Sequence, residues 1–196
     1  MGATYVTVTI RDPATLTKCW EGLFLVDTVL GLYILIVLLR FMFHLTRADF
    51  YNPISQFIVK VSTPPLSRLR RVVPGLWGID VAAIVLLILL EATRIAITTL
   101  LTGRTPQLAG VLVLSIAELF KLTIYVFVFS IFIRAILSWI STGKYHPMQQ
   151  LLYSVTEPLL ISIRRILPRT AGFDFSPIVA IILIDIVRRL LPGLLR

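Results

Sequence analysis

The chain is predicted to be an all-α membrane protein. Its four transmembrane helices form two parallel repeats, each built as span, broken amphipathic loop, span. Three observations predict this. First, 57% of the 196 residues are hydrophobic, above the roughly 45–50% of an ordinary soluble domain. The excess lies in runs of the length, about 20 residues, that crosses a bilayer. Second, the net charge of +9 falls between and at the ends of those runs. Basic residues there anchor to headgroups and set topology, whereas a nucleic-acid binder would carry them on a polar, aromatic-dotted surface. No nucleic-acid partner is expected. Third, the chain repeats itself without a gap at an offset of 94 residues. Arg40 falls on Arg134, Tyr51 on Tyr145, Pro53 on Pro147, Gln56 on Gln150, Pro64 on Pro158, and Arg70 and Arg71 on Arg164 and Arg165. Pro74 meets Pro168, Gly78 meets Gly172, Asp80 meets Asp174, Glu91 meets Asp185 and Arg94 meets Arg188. The matches are Arg, Pro, Gly and Asp rather than Leu and Val, so they mark a tandem duplication and not two greasy stretches aligned by chance.

The organisation that follows is a polar N-terminal tail over 1–22, a first repeat over 23–101, a turn over 102–107 and a second repeat over 108–196. In the tail, Thr4 to Ile10 alternates at period two as a strand does, but a lone strand is not stable in water. The tail's Cys19 is the only cysteine, so no internal disulfide is possible. The apolar run that opens at Leu23 is too long for a signal-peptide core and lacks a small-residue cleavage site, so it is expected to remain as a helix.

The first span is expected over Leu23 to Leu45, interrupted by Asp27 and Arg40. Asn52-Pro53 then starts a helix, with Asn as cap and Pro in the first position. Pro64-Pro65 is expected to end it, leaving Leu66 to Val73 as a second short basic piece. Such pieces are too short to span and lie at the interface or re-enter the membrane. The second span is expected over Ile79 to Leu101, and Thr102 to Pro106 is a tight turn. The run from Leu108 to Ile140 would measure about 50 Å as a helix, against a hydrocarbon core of about 30 Å, so its first turns should project from the membrane. In it Glu118 and Lys121 have pairing spacing. Pro147 starts the second loop helix, Glu157-Pro158 is expected to break it, Leu159 to Leu167 repeats the basic piece, and a fourth span runs from about Phe175 to Leu191. The basic loops over 46–78 and 141–174 are expected in the cytoplasm and both termini outside.

Charges inside spans are costly and are usually paired or functional. Arg40 with Asp80, and Arg134 with Asp174 or Glu157, sit at compatible depths. They read either as salt bridges that clip loop to span or as a site for an anionic group. Glu91 with Arg94 and Asp185 with Arg188 have i,i+3 spacing on one helix face; they read as pairs that help the halves pack or as a proton or cation path. His44 and His146, the two histidines, lack the intramembrane placement and repeat partner of axial haem ligands. No P-loop, paired-cysteine motif, HExxH or serine elbow is present, so no catalytic residue, metal or cofactor is expected.

At these motifs the chain resembles the YggT family, also called YlmG. The second half carries the pattern most fully, in Arg134, Ser138-Trp139, Pro147, Thr156-Glu157-Pro158, Arg164-Arg165, Pro168 and Asp174-Phe175-Ser176-Pro177. The first half departs from it: Thr63-Pro64 stands for Glu-Pro and Val81-Ala82-Ala83 for Phe-Ser-Pro, so any glutamate-dependent role belongs to the second half. The resemblance implies a multi-pass protein of the bacterial inner membrane without established catalysis. Plastid relatives are linked to cytochrome-complex assembly and haem attachment, and bacterial relatives to division, membrane organisation and osmotic or ionic stress. Two functions follow as expectations. One is a non-enzymatic accessory protein that docks anionic lipid or a partner membrane complex, or self-associates. The other is a small oligomeric transport or ion-handling component.

Overall fold

Five helices account for most of the chain. The computed structural model describes residues 13–46, 48, 52–73, 75, 79–140, 147–165, 179–182, 184 and 186. Helix α1 covers Pro13–Leu45, α2 Pro53–Leu69, α3 Val81–Leu101, α4 Leu108–Ile140 and α5 Pro147–Arg164, and the described residues from 179 to 186 are also helical. Three helices are long and apolar enough to cross a membrane, over Glu21–Leu45, Val81–Leu101 and Leu108–Leu137. The N-terminal alternation, Asp174, Ser176, Pro177, Asp185, Arg188 and most of the expected fourth span lie outside the described residues.

Each boundary has a local cause. Pro13 opens α1 ahead of the apolar run; its fixed φ suits a first helical turn. Asn52 caps α2 by accepting the Ile54 amide at 3.0 Å, and Pro53 takes the first helical position. Asp80 caps α3 by accepting the Ala83 amide. The turn after α3 closes on Gly103, whose φ of 74° lies in the left-handed region that glycine enters without strain.

The predicted break in each loop is absent. Helix α2 runs through Pro64 and Pro65, and α5 runs through Pro158. An interior proline removes one backbone hydrogen bond and crowds the carbonyl one turn back. Side chains add hydrogen bonds in the turn just ahead of the prolines. Ser62 and Thr63 donate to the carbonyls of Ile58 and Val59, Arg40 adds a second donor to Val59, and in α5 Thr156 donates to Leu152. Of the basic pieces expected to stand alone, residues 66–69 and 159–164 are therefore the last turns of continuous amphipathic helices, and residues 70–73 form a turn beyond α2.

Asp27, early in the apolar part of α1, meets Arg94, late in α3, while Arg40, late in α1, feels the charge of Asp80 at the start of α3, so these helices run antiparallel. The short turn makes α3 and α4 antiparallel too. Helix α2 packs on α1 and α3, and α5 packs on α4. The two cores use matching positions. Val37, Leu66 and Leu86 are buried together with Leu69 against them, and Ile131, Leu160, Ala180 and Ile163, each 94 residues on, form the second cluster. Large apolar side chains on the far faces, including Phe24, Val29 and Leu32 of α1 and Val113, Ile116 and Phe129 of α4, are exposed. Such a surface suits lipid rather than water.

Candidate functional site

Polar chemistry gathers where α2 and α5 meet the spans. In the second copy, Arg134 of α4 is 6% exposed. Its Nη1 donates to Thr156 Oγ1 at 2.8 Å, and its guanidinium lies 3.8 Å over the Tyr153 ring. Its Nη2 sits 2.7 Å from Glu157 Oε2, an ion pair without the alignment of a directed hydrogen bond. The other oxygen of Glu157 accepts from Arg164 at 2.9 Å. One carboxylate thus answers two arginines, one from the span and one from the end of α5.

The first copy keeps the arginine and loses the acid. Arg40 donates from Nη1 to Ser62 Oγ at 2.9 Å, to Thr63 Oγ1 at 2.8 Å and to the Val59 carbonyl at 3.1 Å. Ser62 and Thr63 stand 94 residues before Thr156 and Glu157. The expected Arg40–Asp80 bridge is not formed; Asp80 pairs with Arg70. The reason is local. Thr63 and Ser62 offer hydroxyls to Arg40 one helix away, while Asp80 is fixed as the cap of α3 beside the end of α2, where Arg70 emerges. Burial alone would raise the Asp80 pKa, but the hydrogen bond and charge of Arg70, helped by the Ala83 amide, outweigh it and hold the carboxyl below its ordinary value. Arg71 and Arg165 remain exposed at the helix ends.

A cavity of about 390 Å³ opens beside Arg40, lined by His44, Gln56, Val59 and Arg70 as well. A second, of about 400 Å³, touches His44, Arg70, Gly75, Ile79 and Asp80.

A separate polar cluster lies midway along the spans. Glu91 is 2% exposed and holds Arg94 with both oxygens. Arg94 also donates to Asp27 at 2.5 Å. On α4, Lys121 pairs with Glu118 at 2.5 Å. These groups face a cavity of about 240 Å³ whose lining includes Glu91, Arg94, Glu118, Lys121 and Tyr125.

Sequence reasoning paired the span arginines with acids and passed over the hydroxyls of Ser62, Thr63 and Thr156, the Tyr153 ring and Asp27. The 94-residue register held a signal for the first of these, since it sets Ser62 on Thr156.

Apolar spans packed in sequence, matching cores and an arginine at the same place in both halves, buried in the second and half-buried in the first, define a multi-pass membrane protein made of a duplicated helical unit. The CCB3/YggT family matches this chain twice, over residues 20–101 and 113–195, and the chain belongs to that family. A protein of Pseudomonas aeruginosa is 42% identical over 85% of each chain. A Vibrio alginolyticus protein, from the region 3′ of proC, is 38% identical over 81% of this chain and 86% of its own. The YggT protein of Escherichia coli K12 is 36% identical over 84% of this chain and 85% of its own. All three are named as uncharacterised. No solved structure matches the chain.

Proposed function

We propose that this chain is a non-enzymatic accessory protein of the bacterial inner membrane that docks anionic lipid through its two basic interface helices. In this reading a fourth span over about 175–191 completes two parallel repeats. Helices α2 and α5 then lie at the cytoplasmic face. The observation that carries it is the repeated anchor: an arginine inside each span grips an amphipathic helix whose end presents basic residues, Arg68, Arg70 and Arg71 in one copy, Arg164 and Arg165 in the other. Each such residue near an anionic leaflet contributes on the order of 1 kcal/mol. Replacing Arg164 and Arg165 by Gln tests it. Anionic lipid that co-purifies in mild detergent should fall while orientation persists and stability drops by no more than the roughly 1 kcal/mol of the half-exposed Arg164–Glu157 pair. Unchanged lipid at low salt would leave these arginines with topology alone, and a stoichiometric membrane complex in the same preparation would make a protein the docking target.

A second reading, an oligomeric ion-handling component, is favoured by the charged cavity of Glu91, Arg94, Glu118 and Lys121. Conductance or flux by the purified protein in liposomes, abolished by Glu91→Gln, would support it over the first.

A further inference from the structure

The two repeats differ in the charge that meets the span arginine. In the second, Glu157 is a built-in anion that neutralises Arg134 and Arg164 together. In the first, the matching residue is Thr63, a neutral hydroxyl. Among the described residues Arg40 forms no ion pair, and all its hydrogen bonds leave from Nη1. The partner of Arg164, Arg70, has turned to Asp80. Beside Arg40 the first repeat has space: the cavity of about 390 Å³ lined by Arg40, His44, Gln56, Val59 and Arg70.

We propose that this cavity is a headgroup site for an anionic phospholipid, whose phosphate supplies the span arginine with the negative charge that the Glu157 carboxylate supplies in the second repeat. The proposal rests on the lipid-docking reading and narrows it to one pocket in one repeat. A phosphate oxygen supplies what Arg40 lacks, an acceptor charge for Nη2, and guanidinium groups suit phosphate through paired, charge-assisted donors. Depth agrees. Arg40 lies five residues from the end of α1, about 8 Å along the axis, and exposed His44 and Arg70 open the cavity at that end. The surroundings favour a lipid over free phosphate. Leu45, Phe57 and Val72, each one or two residues along the chain from a lining residue, are exposed large apolar side chains. Acyl chains would cover them, and an inorganic ion would leave them bare.

The full chain, purified in mild non-ionic detergent, is placed in phosphatidylcholine nanodiscs containing a minor fraction of phosphatidylglycerol, and retained lipid is counted by native mass spectrometry. The wild type should keep one phosphatidylglycerol in preference to phosphatidylcholine. Arg40→Gln should weaken it about tenfold, the scale of one charge-assisted contact. Thr63→Glu should do the same while raising the thermal stability of the lipid-free protein, because it supplies the internal anion. Thr63 is exposed, so this variant should fold even where Arg40→Gln does not. Retention unchanged in Thr63→Glu overturns the pocket, and so does inorganic phosphate displacing the lipid at equal concentration. Selective retention lost only in the Arg164→Gln/Arg165→Gln variant overturns the pocket and leaves lipid docking in place. No selectivity for phosphatidylglycerol in any variant overturns both.

Discussion

Arg134 donates from Nη1 to Thr156 Oγ1 at 2.8 Å, and 94 residues earlier Arg40 donates from Nη1 to Ser62 Oγ at 2.9 Å. In both cases the hydroxyl in turn donates a hydrogen bond to the carbonyl one turn back, Leu152 in α5 and Ile58 in α2. The chain arginine–hydroxyl–carbonyl is thus the shared hinge pin between span and interface helix. It ties a charged group in the span to the backbone just ahead of the prolines.

Glu157 should matter more to stability than its counterpart. Removing one partner of a buried ion pair leaves the other charge uncompensated, at a cost of about 3–5 kcal/mol. Glu157 is 34% exposed on its side chain, so Glu157→Gln is expected near the low end, about 3 kcal/mol. Thr63→Ala removes one exposed acceptor from Arg40 and should cost about 1 kcal/mol. Thermal unfolding in detergent, followed by tryptophan fluorescence, compares the two. Equal losses would show that Glu157 is not neutralising Arg134.

The Asp80–Arg70 bridge sets an acid limit. With its folded pKa depressed, Asp80 contributes stability that is fully present above the unfolded value of about 3.9. That contribution is lost as pH falls through the lower folded value. Asp80→Asn keeps a residue able to cap α3 and deletes the charge. Its melting temperature should therefore lie below wild type at neutral pH, and the difference should shrink below about pH 4. A difference that stays constant from neutral to strongly acidic pH would mean the cap, not the ion pair, is what Asp80 provides.

Much of this was legible in the sequence. The apolar runs gave the span limits of α3 and α4 almost to the residue, because burial in lipid demands an unbroken run and Asp80 and Pro106 punctuate it. Asn52-Pro53 and the i,i+3 pairs Glu91–Arg94 and Glu118–Lys121 also read directly, since caps and pairs are local. Continuity through Pro64, Pro65 and Pro158 did not. Proline reads as a stop because its local effect is a lost hydrogen bond, whereas the contacts that hold α2 just ahead of Pro64, those of Arg40 to Val59, Ser62 and Thr63, come from another helix. The partner of Asp80 was missed for a similar reason. Matched depth along the membrane selected Arg40, but lateral position, which a one-dimensional pattern does not carry, put Arg70 there.

The Asp27–Arg94–Glu91 cluster predicts a strongly non-additive set of variants. Arg94→Gln removes the cation from fully buried Glu91 and should be severely destabilising, about 3–5 kcal/mol. Asp27→Asn should cost less, because Asp27 is 59% exposed and Arg94 keeps Glu91. Combining Glu91→Gln with Arg94→Gln should recover part of the loss, with a coupling of about 0.5–3 kcal/mol. Strict additivity in melting measurements would mean that Glu91 and Arg94 do not act as a pair.

Topology reporters decide whether the chain crosses the membrane three times or four. Basic residues in short loops favour the cytoplasmic side. The segments joining α1 to α3 and following α4 are rich in Arg and Lys, while the turn between α3 and α4 carries only Arg104. Reporter fusions after Arg71 and after Arg165 should therefore score as cytoplasmic, and one after Gly103 as periplasmic. The C-terminus is the deciding position. Arg188, Arg189 and Arg196 oppose its export, but the apolar run from Phe175 to Leu191 is about 17 residues, the lower limit for a span. Its match to α3 at the 94-residue offset argues that it crosses as α3 does. A periplasmic reporter signal after Arg196 is expected. A cytoplasmic signal there would leave three spans and an interfacial final helix, and the second repeat would then not be a copy of the first in its relation to the membrane.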